Sequence, residues 1–476
     1  MNRAPAQEHG GPASSSEPSA VLGLLDAVTL TVGIVVGAGI FKAPSMVAGL
    51  TGSTAWMFGA WILGGLISLM GALCYAELAT AYPSAGGDYH FLRRAFGKPV
   101  SFLFGWARFS VITTGSIALL AFVFGDYMNE VLPLGRRGTP VGPALYAMGA
   151  IAVLAWVNLR GIKAGAWTQT WLTGLEVGGL LLLVIAALYL AASGAPAPPA
   201  APAPVSPPSL ASFGMAMVFV LLTYGGWNEA AYISAELRDG RHNMVRALVA
   251  SIMIITILYL LVTWAYWRGL GLQGMSKSQA LAADLMRIAF GPLGQSAISL
   301  AVAVAALTSI NATMIVGART NYAVGCDWPP LGKLAFWDGR RGSPVHAMRL
   351  QSVASLMLVA MGAWTGSGFR SMVQFTAPVF WLFFMLSGLA LFVLRFREPH
   401  AERPFKVPLF PALPALFCAT CGYMLWSSLS YVYSETLGGF NAAWVSIAVL
   451  AVGAVLLLLI VTVRPGPKVV TRTNAR

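Results

Sequence analysis

Two glycine clusters stand out among the residues able to hold a ligand. The first lies in Thr31-Val-Gly-Ile-Val-Val-Gly-Ala-Gly-Ile-Phe-Lys-Ala-Pro44, the second in Leu222-Thr-Tyr-Gly-Gly-Trp-Asn-Glu229. Each interrupts an apolar run and is followed by an aromatic residue. Glycine inside a helix costs roughly 1 kcal/mol relative to alanine and lets the backbone leave helical geometry. A break at Gly37–Gly39 frees amide N–H groups at the start of a second half-helix, where the helix dipole suits a carboxylate. A break at Tyr224–Gly226 leaves carbonyls at the end of a half-helix, which suit an ammonium. Together they form a clamp for a zwitterion such as an α-amino acid. The dipole supplies only ~1–2 kcal/mol, and desolvating each charge costs several. The ligand charges must therefore pair with each other or with further groups. The plain alternative is close helix packing, since Gly33 and Gly37, like Gly174 and Gly178, form GxxxG pairs. Matching interruptions in two halves of opposite topology favour binding at the interface of two repeats.

Ionisable residues within apolar runs come next. Glu176 and Glu229 are the carboxylates placed well inside a span, and such a group is a functional candidate by default. Glu176 either takes up and releases a proton or is a hydrogen-bonded structural group. Lys42 starts the half-helix after the first break. It adds positive potential beside the carboxylate end, pairs with Glu176, or snorkels into a local salt bridge, and it argues against a polyamine ligand. Arg108 with Glu77 reads as a structural ion pair. Asp26 reads as a helix-start cap.

The elements that must position these residues follow from composition. The chain has 476 residues; 57% are hydrophobic and 10% charged, with a mean hydropathy of +0.72. A soluble protein carries about 25% charged residues, so this composition excludes a soluble enzyme, a disordered chain and a nucleic-acid binder. Runs of about 20 apolar residues cross the hydrocarbon core as helix. Twelve are expected: 22–48, 54–80, 99–129, 141–158, 165–192, 211–236, 245–268, 293–320, 346–364, 370–395, 408–430 and 441–463. No run alternates like a barrel strand, so the fold class is an all-α polytopic membrane protein.

The net charge of +13 is mostly a topology signal. With the N-terminus inside, twenty-two of the 30 Lys and Arg fall in cytoplasmic segments and six outside. That places both termini in the cytoplasm. The expected organisation is a disordered tail at 1–20, a first five-helix unit at 21–192, and a Pro/Ala-rich external linker at 193–210. A second unit at 211–395, two further helices in 396–463 and a basic tail at 464–476 follow. Residues 1–20 lack the apolar core of a signal peptide. The four cysteines imply no disulfide framework, and Cys418-Ala-Thr-Cys421 reads as two small packing residues. No cysteine lies in an outer loop, so no disulfide-linked subunit is expected. All five histidines fall in loops or at span ends, and no nucleophile–base or HExxH pattern lies within the spans. No metal site, organic cofactor or catalytic residue is expected, and no open polar stripe suggests a channel.

At these motifs the sequence resembles the amino acid–polyamine–organocation superfamily, and within it bacterial relatives of the L-type amino acid transporters. The resemblance runs from Asp26 to about Phe417. It rests on Gly37-Ala-Gly-Ile-Phe41, Tyr75-Ala-Glu-Leu-Ala79, Tyr82-Pro-Ser-Ala-Gly-Gly-Asp-Tyr89, Tyr224-Gly-Gly-Trp-Asn228, Glu236-Leu-Arg-Asp-Gly-Arg-His-Asn243 and Glu402-Arg-Pro-Phe-Lys-Val-Pro408. It implies the LeuT-type fold, two inverted five-helix repeats with helices 1 and 6 broken, plus two C-terminal helices. It implies alternating-access transport of an amino acid across the inner membrane, as a proton symporter or an exchanger. The alternatives are a polyamine or small-amine permease, or an amino acid sensor of the same fold.

The resemblance places substrate contacts at Gly37, Ala38 and Gly39, with the Ile34 and Val35 carbonyls, and at Tyr224, Gly225, Gly226, Trp227 and Asn228. It puts Leu222 where many L-type members carry an aromatic gate. Glu176 takes a position where members often have lysine, and Thr308 and Ser309 match a hydroxyl pair of cation sites in sodium-driven relatives. The coupling ion it implies is a proton, with sodium held by Glu176, Thr308 and Ser309 as the second option.

Overall fold

The computed structural model describes residues 23–82, 87–134, 141–160, 166–194, 198, 207–230, 240–338, 343–366, 368–434 and 442–462. The tails at 1–20 and 464–476 and most of the linker lie outside them. So do the side chains of Asp26, Ile34 and Glu229. Among the described residues the chain is helical, with one isolated bridge, Asp338 to Ser343, and no strand.

The first expected span divides in three: α1 (Leu24–Val35), a 3-10 turn (Ala38–Phe41) and α2 (Ala43–Thr51). Then come α3 (Thr54–Ala81), α4 (Asp88–Phe96), α5 (Lys98–Ala107), a π-helical turn (Arg108–Thr113) and α6 (Thr114–Val131). Helices α7 (Val141–Leu159) and α8 (Ala166–Ala192) complete the first half. The second half opens on another divided span, α9 (Leu210–Thr223) and α10 (Trp227–Ala230). It continues with α11 (Gly240–Lys277), α12 (Leu281–Asp327), α13 (Val345–Trp364), α14 (Gly368–Arg397), α15 (Ala412–Ser434) and α16 (Ala442–Thr462).

Nine stretches among the described residues are long and apolar enough to cross a membrane, and two shorter apolar ones, Leu210–Thr223 and Ile447–Thr462, accompany them. Large apolar side chains such as Leu66, Ile185, Ile257 and Leu458 are exposed around the bundle. Exposed apolar surface on that scale belongs to a bilayer. The protein is a multi-pass membrane protein.

Three features depart from the sequence expectation. Helix α4 is a short amphipathic helix ahead of the third span, which hydropathy passed over. The π-helical turn at Arg108–Thr113 joins α5 to α6 within one apolar run; such turns cluster at functional sites. The seventh and eighth spans outrun 245–268 and 293–320, because helix continues past a bend in each. Those bends fall at Gly271 (φ +67°) in α11 and Gly291 (φ +70°) in α12, the latter just before Pro292. Only glycine takes that backbone region without strain.

Small residues set the packing around the broken helices. A side chain at Gly64 of α3 would collide with Val220 and stand 3.1 Å from the Tyr224 ring. At Gly71 it would lie 2.6 Å from Phe417 and 2.8 Å from Trp227 Cζ2. Helix α3 therefore lies against the second broken span at backbone distance, as small residues allow in lipid. Cys418 packs against Gly388, and Cys421 is buried, in keeping with a packing role for this pair.

Candidate functional site

The two breaks form where the glycines foretold. Helix α1 ends at Val35, Gly37 is extended (φ −129°, ψ −172°), and the chain re-enters helix as the 3-10 turn at Ala38. The first N–H groups of that turn, from Ala38 and Gly39, have no intrahelical acceptor. Pro44 then opens α2, where its missing N–H costs nothing. On the other span, α9 closes with Tyr224 N–H donating to Val220 O (3.0 Å) and Gly225 N–H to Leu222 O (3.2 Å). Gly226 follows at φ +112°, a conformation L side chains rarely adopt, and α10 begins at Trp227.

The breaks lie against each other. A Cβ on Gly39 would stand 3.4 Å from Thr223 Oγ1, in ordinary contact, and one on Gly37 would stand 3.9 Å from Ser309 Oγ. Tyr259 of α11 joins them. Its hydroxyl lies 3.0 Å from Val35 O and 3.1 Å from Thr223 O, the final carbonyls of α1 and α9. One O–H donates to two acceptors here, so each carbonyl keeps capacity for another donor. Tyr259 is wholly buried and sits edge-on to Trp61 (5.7 Å) and Tyr224 (5.1 Å). The Tyr224 hydroxyl donates to Trp61 O at 3.1 Å. Trp227 is wedged among Tyr75 (5.3 Å), Phe384 (5.7 Å) and Phe417 (6.4 Å). Rings on three sides thus hold the second break in place.

The expected residues divide as follows. Val35, Gly37, Ala38, Gly39, Tyr224, Gly225, Gly226 and Ser309 are brought to the paired breaks. Trp227 faces into the aromatic cluster behind them, and Leu222 and Asn228 are half-buried beside it. Thr308 Oγ1 donates along its own helix to Val304 O (3.0 Å). Glu176 is buried on α8, which packs against α11 and α12, the helices that carry Tyr259 and Ser309. The Ile34 and Glu229 side chains lie outside the described residues.

One pairing decides between the alternatives and one departs from expectation. Lys42 is bound by Asp126 of α6 (2.7 Å) and by Gln279, not by Glu176. Asp126 is thus a further carboxylate within an apolar run, and its charge cancels that of Lys42. The argument against a polyamine ligand from Lys42 loses its force. Glu77 is taken by Arg395 and Arg403 rather than by Arg108, because α14 and the segment after it reach the end of α3. Sequence reasoning passed over Tyr259 entirely. The available signal was a tyrosine in the middle of a strongly apolar span, where a hydroxyl needs a buried partner.

Outside the membrane-spanning core, Arg94 donates to both carboxylate oxygens of Glu398 (2.8–3.3 Å) and holds that carboxyl below its usual range.

Comparison with known proteins adds the family. A family model described as amino acid permease matches residues 22–463. The rat b(0,+)-type amino acid transporter 1 is 29% identical over 82% of this chain and 79% of its own length. The human large neutral amino acids transporter small subunit 2 is 28% identical over 85% of this chain and 76% of its own.

Proposed function

The chain belongs to the amino acid permease family of the APC superfamily, and from that premise we propose that it is a secondary active transporter of an α-amino acid. It works by alternating access across the cytoplasmic membrane, with both termini inside. In this reading the chain has twelve spans, ten of them in two inverted five-helix repeats. The observation that carries the proposal is the pair of helix breaks, back to back at Gly39 and Thr223 and joined by Tyr259. Amide N–H groups at Ala38 and Gly39 suit the substrate carboxylate, and the carbonyl ends of α1 and α9 suit its ammonium. Holding both charges with backbone leaves the substrate side chain to be selected by the remaining wall.

Glu176 carries the coupling proton in this reading. It is a buried carboxylate on α8, which packs against α11 and α12, the helices that carry Tyr259 and Ser309. The test is uptake of a radiolabelled amino acid panel into proteoliposomes, under a pH gradient, a sodium gradient, or with unlabelled substrate inside. Proton-coupled uptake by the wild type should fall to exchange alone in Glu176→Gln. Unchanged concentrative uptake in that variant refutes the role of Glu176, and uptake of amines but no amino acid refutes the clamp.

A further inference from the structure

The start of α2 holds a group of charges that the substrate clamp does not use. Lys42 is 2% exposed, three residues beyond Gly39. Its ammonium donates to Asp126 Oδ2 (2.7 Å), to the Gln279 carbonyl oxygen (2.6 Å) and to Gln279 Oε1 (3.0 Å). All three of its hydrogens are therefore committed. Asp126 is 17% exposed and Gln279 is exposed, so the polar chain runs from the first break to the protein surface.

The surrounding bonds tie the same three elements together. Gln279 lies in the corner between α11 and α12. Ser45 of α2 donates to Ser278 O in that corner (2.9 Å), and Ser278 donates to Asp284 (2.7 Å). On the other side, Tyr127 of α6 donates to Phe41 O (2.9 Å) and accepts from Ala282 N–H (3.2 Å). The corner is also jointed. The positive-φ glycines Gly271 and Gly291 stand at its two ends, so residues 272–290 form a hairpin between two bends.

We propose that Lys42, Asp126 and Gln279 are the latch that shuts the substrate route on the outer face, with the 272–290 hairpin as the part it holds down. The proposal rests on the transporter reading, which makes this the outer side. The latch is closed here. It opens when the Lys42 ammonium leaves Asp126 and Gln279, freeing α2 and the hairpin from α6. The ion pair suits that task because the Lys42 ammonium is buried with all three of its hydrogens committed: it leaves only by finding water, so the closed state is discrete. Substrate seated at Gly37–Gly39 acts on α2 directly, through the turn that ends at Lys42.

The test reads access without substrate. A Ser309→Cys reporter, deep to the latch, is labelled from outside with a membrane-impermeant methanethiosulfonate in right-side-out vesicles. Vesicles without the reporter correct for the native cysteines. Adding Lys42→Met and Asp126→Asn together removes both charges and leaves neither one stranded. The labelling rate should rise on the order of tenfold, equivalent to ~1.4 kcal/mol of bias toward the open state. Lys42→Arg, which keeps the charge, should label close to the parent rate. A second pair, Ser45→Cys with Ser278→Cys, keeps the latch; joining it with a short bifunctional thiol reagent should stop uptake until reduced. Labelling unchanged in the double variant, or uptake unimpeded by the cross-link, overturns the latch. A labelling rise alongside absent amino acid uptake by the wild type supports the latch and counts against the transport reading instead.

Discussion

Removing the charge of Glu77 should destabilise the protein by about 3–5 kcal/mol, the range for breaking a buried ion pair from one side. The structure puts Glu77 at that end of the scale. Its side chain is 1% exposed, and Arg395 grips it in two places, Nε to Oε1 at 2.7 Å and an Nη to Oε2 at 2.5 Å. Val407 N–H adds a bond to Oε2 at 2.6 Å, and Arg403 approaches Oε1 at 3.5 Å. Both carboxylate oxygens are thus occupied by donors. Glu77→Gln keeps the shape, removes the charge, and turns an NH2 group toward a guanidinium or an amide. The two arginines, 18% and 7% exposed, then lose their counter-charge. The comparison is Arg93 with Asp327, where both partners are about two-fifths exposed; Arg93→Ala should cost under ~1 kcal/mol. Reversible unfolding of the purified protein in mixed detergent micelles, followed by tryptophan fluorescence, measures both. A double-mutant cycle with Arg395→Met isolates the pair. A loss for Glu77→Gln no larger than that for Arg93→Ala would refute the argument, because it would mean that water reaches the pair.

The other predictions concern the site and the surface. Tyr259→Phe leaves the Val35 and Thr223 carbonyls without their shared donor, which costs about 1–3 kcal/mol. That should lower kcat/KM for uptake by roughly 5- to 150-fold with expression unchanged; parental kinetics would show that the hydroxyl does not hold the breaks. Gly71→Ala drives a methyl group into Trp227 and Phe417 and should cost about 1–3 kcal/mol with weakened substrate binding, whereas Gly59→Ala, with open space around it, should be neutral. Thermal unfolding with and without substrate separates the two. Arg94 lowers the pKa of Glu398, so the pair stabilises the protein above the ordinary glutamate range, and this is lost as pH falls through the lowered value. The difference in melting temperature between wild type and Arg94→Ala should shrink in acid and in high salt; a difference that grows in acid reverses the sign and excludes the pair as its source.

What could be read along the chain was whatever depends on near neighbours in sequence. Hydropathy over about 20 residues marks a span because every backbone polar group in lipid must bond within its own segment. Glycine clusters mark breaks because the cost of helix is local, and the interruptions at Gly37–Gly39 and Tyr224–Gly226 lie where the residues put them. The bends at Gly271 and Gly291 were less visible. A single glycine is compatible with continuous helix, and only the packing of the corner selects positive φ. The pairing of charges could not be read in this way at all. Lys42 had Glu176, a local salt bridge and water as candidate partners, whereas its observed partners Asp126 and Gln279 lie 84 and 237 residues away. Glu77 met Arg395 across 318 residues. Tyr259 reached Val35 from 224 residues away. Each choice is made by which helices touch and at what height, a property of the packed bundle that no local energy encodes. The lipid-spanning elements and the two places where they break were therefore properties of the sequence, while the tertiary packing decided what each buried charge and hydroxyl holds together.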